Sequence, residues 1–150
     1  QEVDRQISDP AVKNVAVIGA GYIGVEIAEA AKRRGKEVRL FDVASTSLAS
    51  YYDPWFSKDM DENLKKNGVE THYGERATAY KGSKHVEAVV TDKGEYPADL
   101  VINAIGFIPN TGLGKEHVLE MGHTGWTAIK RRVTQMSMQW ETARPFTPTR

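Results

Sequence analysis

Residues Lys13–Asp42 have the sequence KNVAVIGAGYIGVEIAEAAKRRGKEVRLFD. An apolar run, Val15–Ile18, leads into the glycine-rich sequence Gly19–Gly24, and a helix-like spacing of apolar residues follows. A second apolar run, Val38–Phe41, closes on Asp42. This order of strand, glycine loop, helix and strand predicts a βαβ unit that carries the full fingerprint of a dinucleotide-binding site.

Each glycine of this loop has an expected role. Gly19 allows the tight turn after the strand, Gly21 lets the backbone approach a pyrophosphate, and Gly24 lets helix and strand pack closely. The start of the helix presents unpaired N–H groups, which favour phosphate oxygens. Asp42 follows Gly24 by eighteen positions, which places a carboxylate where it can accept hydrogen bonds from a ribose 2′-OH.

The segment after Asp42, VASTSLASYY, contains no Arg or Lys. Sites for NADP usually place a basic residue here to hold the 2′-phosphate, which a carboxylate would repel. The sequence therefore favours NAD(H) over NADP(H). A methyltransferase that binds S-adenosylmethionine is the alternative, because it also ends its second strand in an acid. Its glycine loop normally lacks a third glycine at this spacing, so we favour the dinucleotide.

Several nearby side chains leave two interpretations open. Glu26, in the first turns of the helix, is either an acid stabilised by the helix dipole or a polar group near the nicotinamide. Tyr51 and Tyr52 either pack against the next helix or cover the adenine or ribose. Trp55 is expected in the core or in an interface rather than against the cofactor.

The composition narrows the function class. Twenty basic and twenty acidic residues cancel, so no general attraction to nucleic acid or to an anionic membrane is expected. No apolar stretch has the length of a membrane span and the N-terminal residues do not resemble a signal peptide, so we expect a cytoplasmic protein. The chain has no cysteine and its four histidines have no metal-ligand spacing, so neither disulfides nor a metal centre is expected.

Apolar spacing predicts two further details of the helices. The helix after the glycine loop should bury a face formed by Ile23, Ile27, Ala30 and Ala31. A second helix should begin at Asp53–Pro54, with Asp as cap and Pro at the first position. Its apolar stripe should consist of Phe56, Met60 and Leu64.

The second half of the sequence is rich in short strands. Strands are expected over residues 69–73, 77–81, 86–92, 95–97 and 100–105. The close spacing of the middle three predicts an antiparallel meander laid over the sheet, and the continuous apolar run 100–105 predicts a central parallel strand. The expected fold class is α/β: a Rossmann-like three-layer domain, with a parallel sheet, helices on both faces and an antiparallel β-meander.

Three segments together resemble one family: Ala16–Asp42, Tyr51-x-Asp53, and ADLVINAIGFIPNT at Ala98–Thr111. They are similar to the central NAD(H)-binding domain of the pyridine-nucleotide disulfide oxidoreductases, and most similar to bacterial FAD-dependent NADH oxidases and peroxidases. The resemblance implies hydride transfer from NADH to FAD, with oxygen or peroxide as final acceptor. It also implies the site: the pyrophosphate on Gly21, Tyr22, Ile23 and Gly24, the adenosine end on Asp42 and Tyr51, and the nicotinamide beside Gly106.

The resemblance covers residues 11–118, which we expect to form the NAD(H)-binding domain, preceded by a linker over residues 1–10. Residues 119–150 are expected to form an irregular tail. From Trp126 the tail has no family match as written, but a reading frame shifted by one base permits a Gly-Asp segment like the family's flavin-binding segment. We therefore hypothesise a frameshift near residues 122–128, which makes the tail a remnant of the FAD-binding segment. The alternative is a natural linker whose codons are compatible with that segment by accident.

Members of this family also contain an FAD domain, usually with a redox-active cysteine, and a dimerisation domain. Because these 150 residues contain no cysteine and only one such glycine-rich loop, we expect NADH as ligand and no FAD site in the chain itself. Two hypotheses follow: the NAD(H)-binding domain of an FAD-dependent oxidoreductase, or a catalytically inert NAD(H)-binding module in isolation. Surfaces that normally meet the missing domains would favour homo-oligomers if left uncovered.

Overall fold

The structure, a computed structural model, describes residues 2–106. The helices are α1 (Glu2–Ser8), α2 (Tyr22–Arg33) and α3 (Pro54–Lys66). The strands are β1 (Asn14–Ile18), β2 (Glu37–Asp42), β3 (Val69–Tyr73), β4 (Ala77–Lys81), β5 (Ala88–Thr91), β6 (Glu95–Pro97) and β7 (Leu100–Asn103). The predicted tail and frameshift, at residues 119–150, lie outside the described residues.

Four strands form a parallel sheet in the order β3-β2-β1-β7. Strand β1 pairs with β2 on one side and with β7 on the other, so Ile18 lies between Phe41 and Asn103. The chain thus leaves β1 towards β2 and later returns to the opposite side of β1. Such a reversal of strand order opens a crevice at the carboxyl ends of the strands, where α/β proteins bind their ligands.

The domain has three layers, as the sequence predicts. One face of the sheet packs against the helices around Val15, Val17, Val38 and Leu40. The other face, around Ile18 and Phe41, is covered by the antiparallel sheet β4-β5-β6. The expectation of helices on both faces is therefore wrong for residues 2–106, because the meander already shields the apolar side chains of the second face.

The buried face of helix α2 agrees with the predicted one at Ala31 but is otherwise different. Gly24, Val25, Ala28 and Ala31 are buried, whereas Ile23 is 51% exposed. The reason is close packing: a Cβ at Gly24 would overlap the carbonyl oxygen of Gly19, so the helix must turn its smallest residues towards β1. Ile27 lies at the edge of this face and is only partly buried.

Helix α3 begins as predicted, with Asp53 as cap and Pro54 at its first position. Leu64 is buried and Met60 packs against the core, but Phe56 is half exposed and does not belong to the buried stripe. The buried face instead includes Asp61, a charged residue that apolar spacing cannot predict.

The N-terminal residues differ from the predicted polar linker. Residues 2–8 form α1, and its Ile7 is buried in the core cluster on the helical side of the sheet. The following loop is held by Lys36, whose Nζ donates hydrogen bonds to the carbonyl oxygens of Asp9 (2.8 Å) and Val12 (2.7 Å). Two apolar residues among seven, Val3 and Ile7, were too weak a pattern to reveal this contact.

Strand β7 also differs from its prediction. It is shorter than expected and lies at the edge of the parallel sheet as far as residues 2–106 show, rather than at its centre. Its side chains are accordingly only partly buried. Over the same residues, no helix is both long and apolar enough to cross a membrane.

Candidate cofactor-binding site

The glycine loop lies at the carboxyl end of β1, in the crevice between β1 and β7. Gly19 has a φ of +104°, and a Cβ there would lie 2.6 Å from the carbonyl oxygen of Ala104, just after β7. The Gly19 amide donates to the carbonyl of Phe41 at 2.7 Å, and the Ala104 amide donates to that of Ile18 at 2.7 Å. Only glycine fits this position, because both the backbone angle and the available space exclude a side chain.

Helix α2 starts directly from this loop. Its cap residue is Gly21, whose extended backbone carries no side chain to satisfy the first N–H groups of the helix. A Cβ at Gly21 would meet only the ring of Tyr51, at 3.7 Å. The uncapped N–H groups at the start of α2 make this helix N-terminus a candidate anion site.

Asp42, at the end of β2, is hydrogen-bonded to the loops on both sides of it. Its Oδ2 accepts from the backbone amide of Ala20 at 2.6 Å, and its Oδ1 accepts from that of Ala44 at 2.7 Å. A carboxylate oxygen has a second lone pair, so both oxygens retain acceptor capacity towards a ribose. The half-buried carboxylate thus holds the glycine loop and also remains available to a ligand.

Residues 43–52, which we call the adenosine loop, return over the glycine loop. The amide of Leu48 donates to the carbonyl of Ala20 at 2.8 Å, and Leu48 adopts a φ of +53°, which is unusual for a branched residue. Its carbonyl in turn accepts from the amides of Tyr51 (2.9 Å) and Tyr52 (3.2 Å). This turn places two tyrosine side chains beside the start of α2.

Four exposed aromatic rings surround the mouth of the site. The ring of Tyr51 lies 4.5 Å from that of Tyr22, and the Tyr52 ring lies 5.9 Å from Tyr22 and 6.1 Å from Phe56. An open pocket of about 370 Å³ is lined by residues 49–53 and by Phe56. Trp55 is 60% exposed and stacks on Phe56, so it does not lie in the core.

The remaining predicted residues lie around this centre without direct contacts that define a role. Ile23 and Glu26 are exposed on α2. Gly106 is exposed two residues beyond Ala104, and a Cβ there would meet no atom of residues 2–106 within 4 Å. The structure therefore brings the glycine loop, Asp42, Tyr22 and Tyr51 together, while the roles of Ile23, Glu26 and Gly106 stay predictions.

Sequence reasoning missed the buried residues behind the adenosine loop. Asp61 on α3 accepts hydrogen bonds from the amide of Ser47 (3.0 Å) and from the hydroxyl of Tyr73 (2.6 Å). The signal that could have found it is an acidic side chain placed directly after Met60 and three residues before Leu64, on the apolar side of a helix.

Most of the chain matches one known protein family. The model of the pyridine nucleotide-disulphide oxidoreductase family matches residues 1–139. The chain belongs to this family. The assignment confirms the resemblance carried by the glycine loop, Asp42 and the segment Ala98–Thr111.

Curated relatives in the pyridine nucleotide-disulphide oxidoreductase family include several NADH oxidases. The NADH oxidase of Lactococcus lactis is 56% identical over 118 residues, which cover 77% of this chain and 26% of that protein. The NADH oxidase of Streptococcus pyogenes is 42% identical over 135 residues, covering 90% of this chain and 30% of that protein. The chain thus spans less than a third of the curated relatives it matches.

Solved structures of this family share the fold. The water-forming NADH oxidase from Lactobacillus brevis, bound to NADH, superposes with a TM-score of 0.71 at 34% identity, covering 81% of this chain and 27% of that one. A ferredoxin reductase from Rhodopseudomonas palustris gives a TM-score of 0.70 at 37% identity, covering 77% of this chain and 29% of that one. These neighbours confirm the Rossmann-like fold with its added meander.

The family match spans residues 1–139 and sets no domain boundary within that range. The predicted boundary at residue 118 and the irregular tail over residues 119–150 therefore stay predictions. The frameshift stays a prediction that the nucleotide sequence of the gene can test.

Proposed function

We propose that this chain is the NAD(H)-binding domain of an FAD-dependent NADH oxidase or peroxidase, in which it presents NADH for hydride transfer to the flavin. The observation that carries the proposal is the double hydrogen bonding of Asp42 to Ala20 and Ala44, which places an acceptor for a ribose beside an open helix N-terminus. The flavin supplies the electron acceptor when bound; the residues of this chain bind and orient the nucleotide.

The proposed roles follow the geometry from one end of NADH to the other. Asp42 accepts hydrogen bonds from the ribose hydroxyls of the adenosine, and Tyr51 covers that end of the nucleotide. The pyrophosphate lies over Gly21 and the first N–H groups of α2, flanked by Tyr22 and Ile23. The nicotinamide extends towards Gly106, at the exit of β7, with Glu26 as a polar neighbour.

Specificity for NADH is supported by the acid at the end of β2. A carboxylate repels a 2′-phosphate, and the adenosine loop has neither Arg nor Lys to attract one. An engineered variant of the Lactobacillus brevis oxidase, bound to NADPH, carries an aspartate replaced by alanine and the next residue replaced by arginine, eighteen positions after a replaced glycine. Gly24, Asp42 and Val43 have the same spacing here.

A second candidate function is an NAD(H)-binding module without turnover. One observation favours it for these 150 residues: they contain no cysteine that could act as a redox centre. In such a module the exposed Trp55 and Phe56 would form an apolar surface that another copy of the module can cover.

Two measurements on the purified chain separate these functions and test the cofactor. Isothermal titration calorimetry with NADH and NADPH should give the tighter binding for NADH, and a preference for NADPH would contradict the role of Asp42. An absorption spectrum and an NADH consumption assay then test for flavin and turnover. Bound flavin with turnover would overturn the inert module, whereas NADH binding without either would support it.

A further inference from the structure

Behind the adenosine loop lies a buried carboxylate that the proposed function does not use. Asp61 is only 8% exposed, in the middle of α3. Its Oδ1 accepts hydrogen bonds from the backbone amide of Ser47 at 3.0 Å and from the hydroxyl of Tyr73 at 2.6 Å. The carboxylate therefore links three parts of the domain: the adenosine loop, helix α3 and the end of β3.

A buried carboxylate is costly to the fold unless donors compensate it. Tyr73 remains a donor over the whole physiological range, because burial and the hydrogen bond to Asp61 raise the pKa of its phenol. An apolar residue at this position of α3 would avoid the cost, yet it could not hold the amide of Ser47. The contact thus has a geometric consequence for the loop beyond its contribution to packing.

The amide of Ser47 lies next to the residue through which the adenosine loop contacts the glycine loop. Ser47 immediately precedes Leu48, whose amide donates to Ala20 in the glycine loop and whose carbonyl accepts from Tyr51. Tyr73 itself is the partner of Asp42 in the register of β2 and β3. A shift of Ser47 would therefore be transmitted to the glycine loop on one side and to the ring of Tyr51 on the other.

We propose that Asp61, with Tyr73 as its hydrogen-bond donor, is a positioning residue that holds the adenosine loop in its NADH-binding conformation and so sets the affinity for the adenosine part of the cofactor. The inference rests on the proposed function, since it assumes that NADH binds between Asp42 and Tyr51. It differs from a purely structural role in one respect: loss of the contact must weaken binding of the adenosine moiety even in a fully folded domain.

The test uses two variants of the 150-residue chain and one matched control. Tyr73→Phe removes only the donor hydroxyl, and Asp61→Asn removes the charge while keeping the shape. The control is Asp99→Asn: Oδ2 of Asp99 accepts from the amides of Lys13 (2.9 Å) and Asn14 (2.7 Å), at the opposite end of β1 from the site. All three variants lose charge-assisted contacts, but only the first two act on the adenosine loop.

Affinities for NADH, ADP-ribose and AMP are measured by calorimetry at a temperature where circular dichroism shows every variant folded. We expect both loop variants to bind all three ligands about tenfold more weakly. Ligand binding must then order the loop, at a cost comparable to the free energy of one hydrogen bond to a charged group. The control should unfold at a lower temperature but bind as the unmodified chain does. A common factor across the three ligands places the effect at the adenosine end.

The outcomes separate this inference from the proposed function. Unchanged affinities in both loop variants, beside clear NADH binding by the unmodified chain, would overturn the inference alone. An equal loss of affinity in Asp99→Asn would also overturn it, because binding would then follow stability. An unmodified chain that binds neither NADH nor ADP-ribose would overturn the proposed function and this inference with it. If Asp61→Asn does not fold, Tyr73→Phe decides the question by the same criteria.

Discussion

Oδ2 of Asp42 accepts a hydrogen bond from the backbone amide of Ala20 at 2.6 Å, so the acid that ends β2 holds the glycine loop that ends β1. The same carboxylate accepts from Ala44 through its other oxygen. One side chain therefore fixes the two loops that surround the proposed ribose position. Because each oxygen has a second lone pair, a ligand can be bound without breaking either contact.

Substitution of Asp42 and its neighbour Val43 should change the cofactor preference from NADH towards NADPH. Asp42→Ala combined with Val43→Arg removes the repulsion of a 2′-phosphate and adds a guanidinium that can bind it. Val43 is 57% exposed, so the arginine has room to reach the ligand. We expect the ratio of the Kd values for NADH and NADPH to shift towards NADPH by about a hundredfold, measured by calorimetry.

The single substitution Val43→Arg serves as control for this double variant. It adds the positive charge but leaves the carboxylate and its hydrogen bonds to Ala20 and Ala44 in place. We expect it to improve NADPH binding only slightly, because Asp42 still repels the phosphate. A double variant that keeps its preference for NADH would show that Asp42 does not contact the ribose.

The glycine loop and Asp42 could be predicted from sequence because their spacing alone specifies their geometry. Gly19, Gly24 and Asp42 lie where the strand–loop–helix–strand order requires, and the structure supplies a steric reason for both glycines. The fold class followed from the same unit, and the meander from short strands with close turns. Each of these features leaves its mark within one contiguous stretch of sequence, as a fixed spacing of glycines or as closely spaced turns.

The parts that could not be predicted depend on individual contacts that apolar spacing and composition do not encode. The buried face of α2 is set by the contact of Gly24 with Gly19, which overrides the apolar spacing that favours Ile23. Asp61 is buried because two donors from other elements meet it, and a composition-based pattern assigns such a residue to the surface. Ile7 belongs to the core for the same kind of reason.

A side chain at Gly21 should weaken NADH binding without destabilising the fold. A Cβ at this position would make an ordinary van der Waals contact with Tyr51 at 3.7 Å, so Gly21→Ala should leave the free energy of unfolding within about 0.5 kcal/mol of the unmodified value. The same methyl group would occupy the open side on which a pyrophosphate approaches the backbone. We expect NADH binding to weaken by at least about tenfold in calorimetry, since the phosphates lose close contact with the N–H groups.

Urea denaturation of the same variant supplies the control for folding. A variant that unfolds at the same urea concentration yet binds NADH poorly supports the pyrophosphate position above Gly21. Normal NADH affinity in Gly21→Ala would place the phosphates elsewhere.

Two glycines with positive φ angles, Gly19 and Gly35, should differ in the loss of stability that an alanine causes. Gly19 (φ +104°) faces the carbonyl of Ala104, whereas a Cβ at Gly35 (φ +76°) would meet no atom within 4 Å. Gly35→Ala should cost about 1 kcal/mol, the backbone strain alone. Gly19→Ala adds a steric clash at 2.6 Å and should cost about 3 kcal/mol or more, measured by urea denaturation. Equal costs at the two positions would contradict the close approach of β7 to the glycine loop.

The last prediction concerns pH and the buried carboxylate of Glu75, which follows β3 and whose amide donates to the carbonyl of Asp42. Burial raises the pKa of Glu75, but hydrogen bonds from Thr91 and Tyr96 outweigh it, so the pKa lies below its ordinary value of 4.5. A lowered folded-state pKa stabilises the fold above pH 4.5, and this stabilisation is lost as the pH falls through the folded value. We expect Glu75→Gln to cost about 2 kcal/mol at pH 7, and the difference from the unmodified chain to shrink below pH 4.5 in urea denaturation. The substitution Glu87→Gln, at an exposed position, is the control and should change the free energy of unfolding little at either pH. A loss of stability in Glu75→Gln that is independent of pH would show that the charge of this carboxylate does not stabilise the fold.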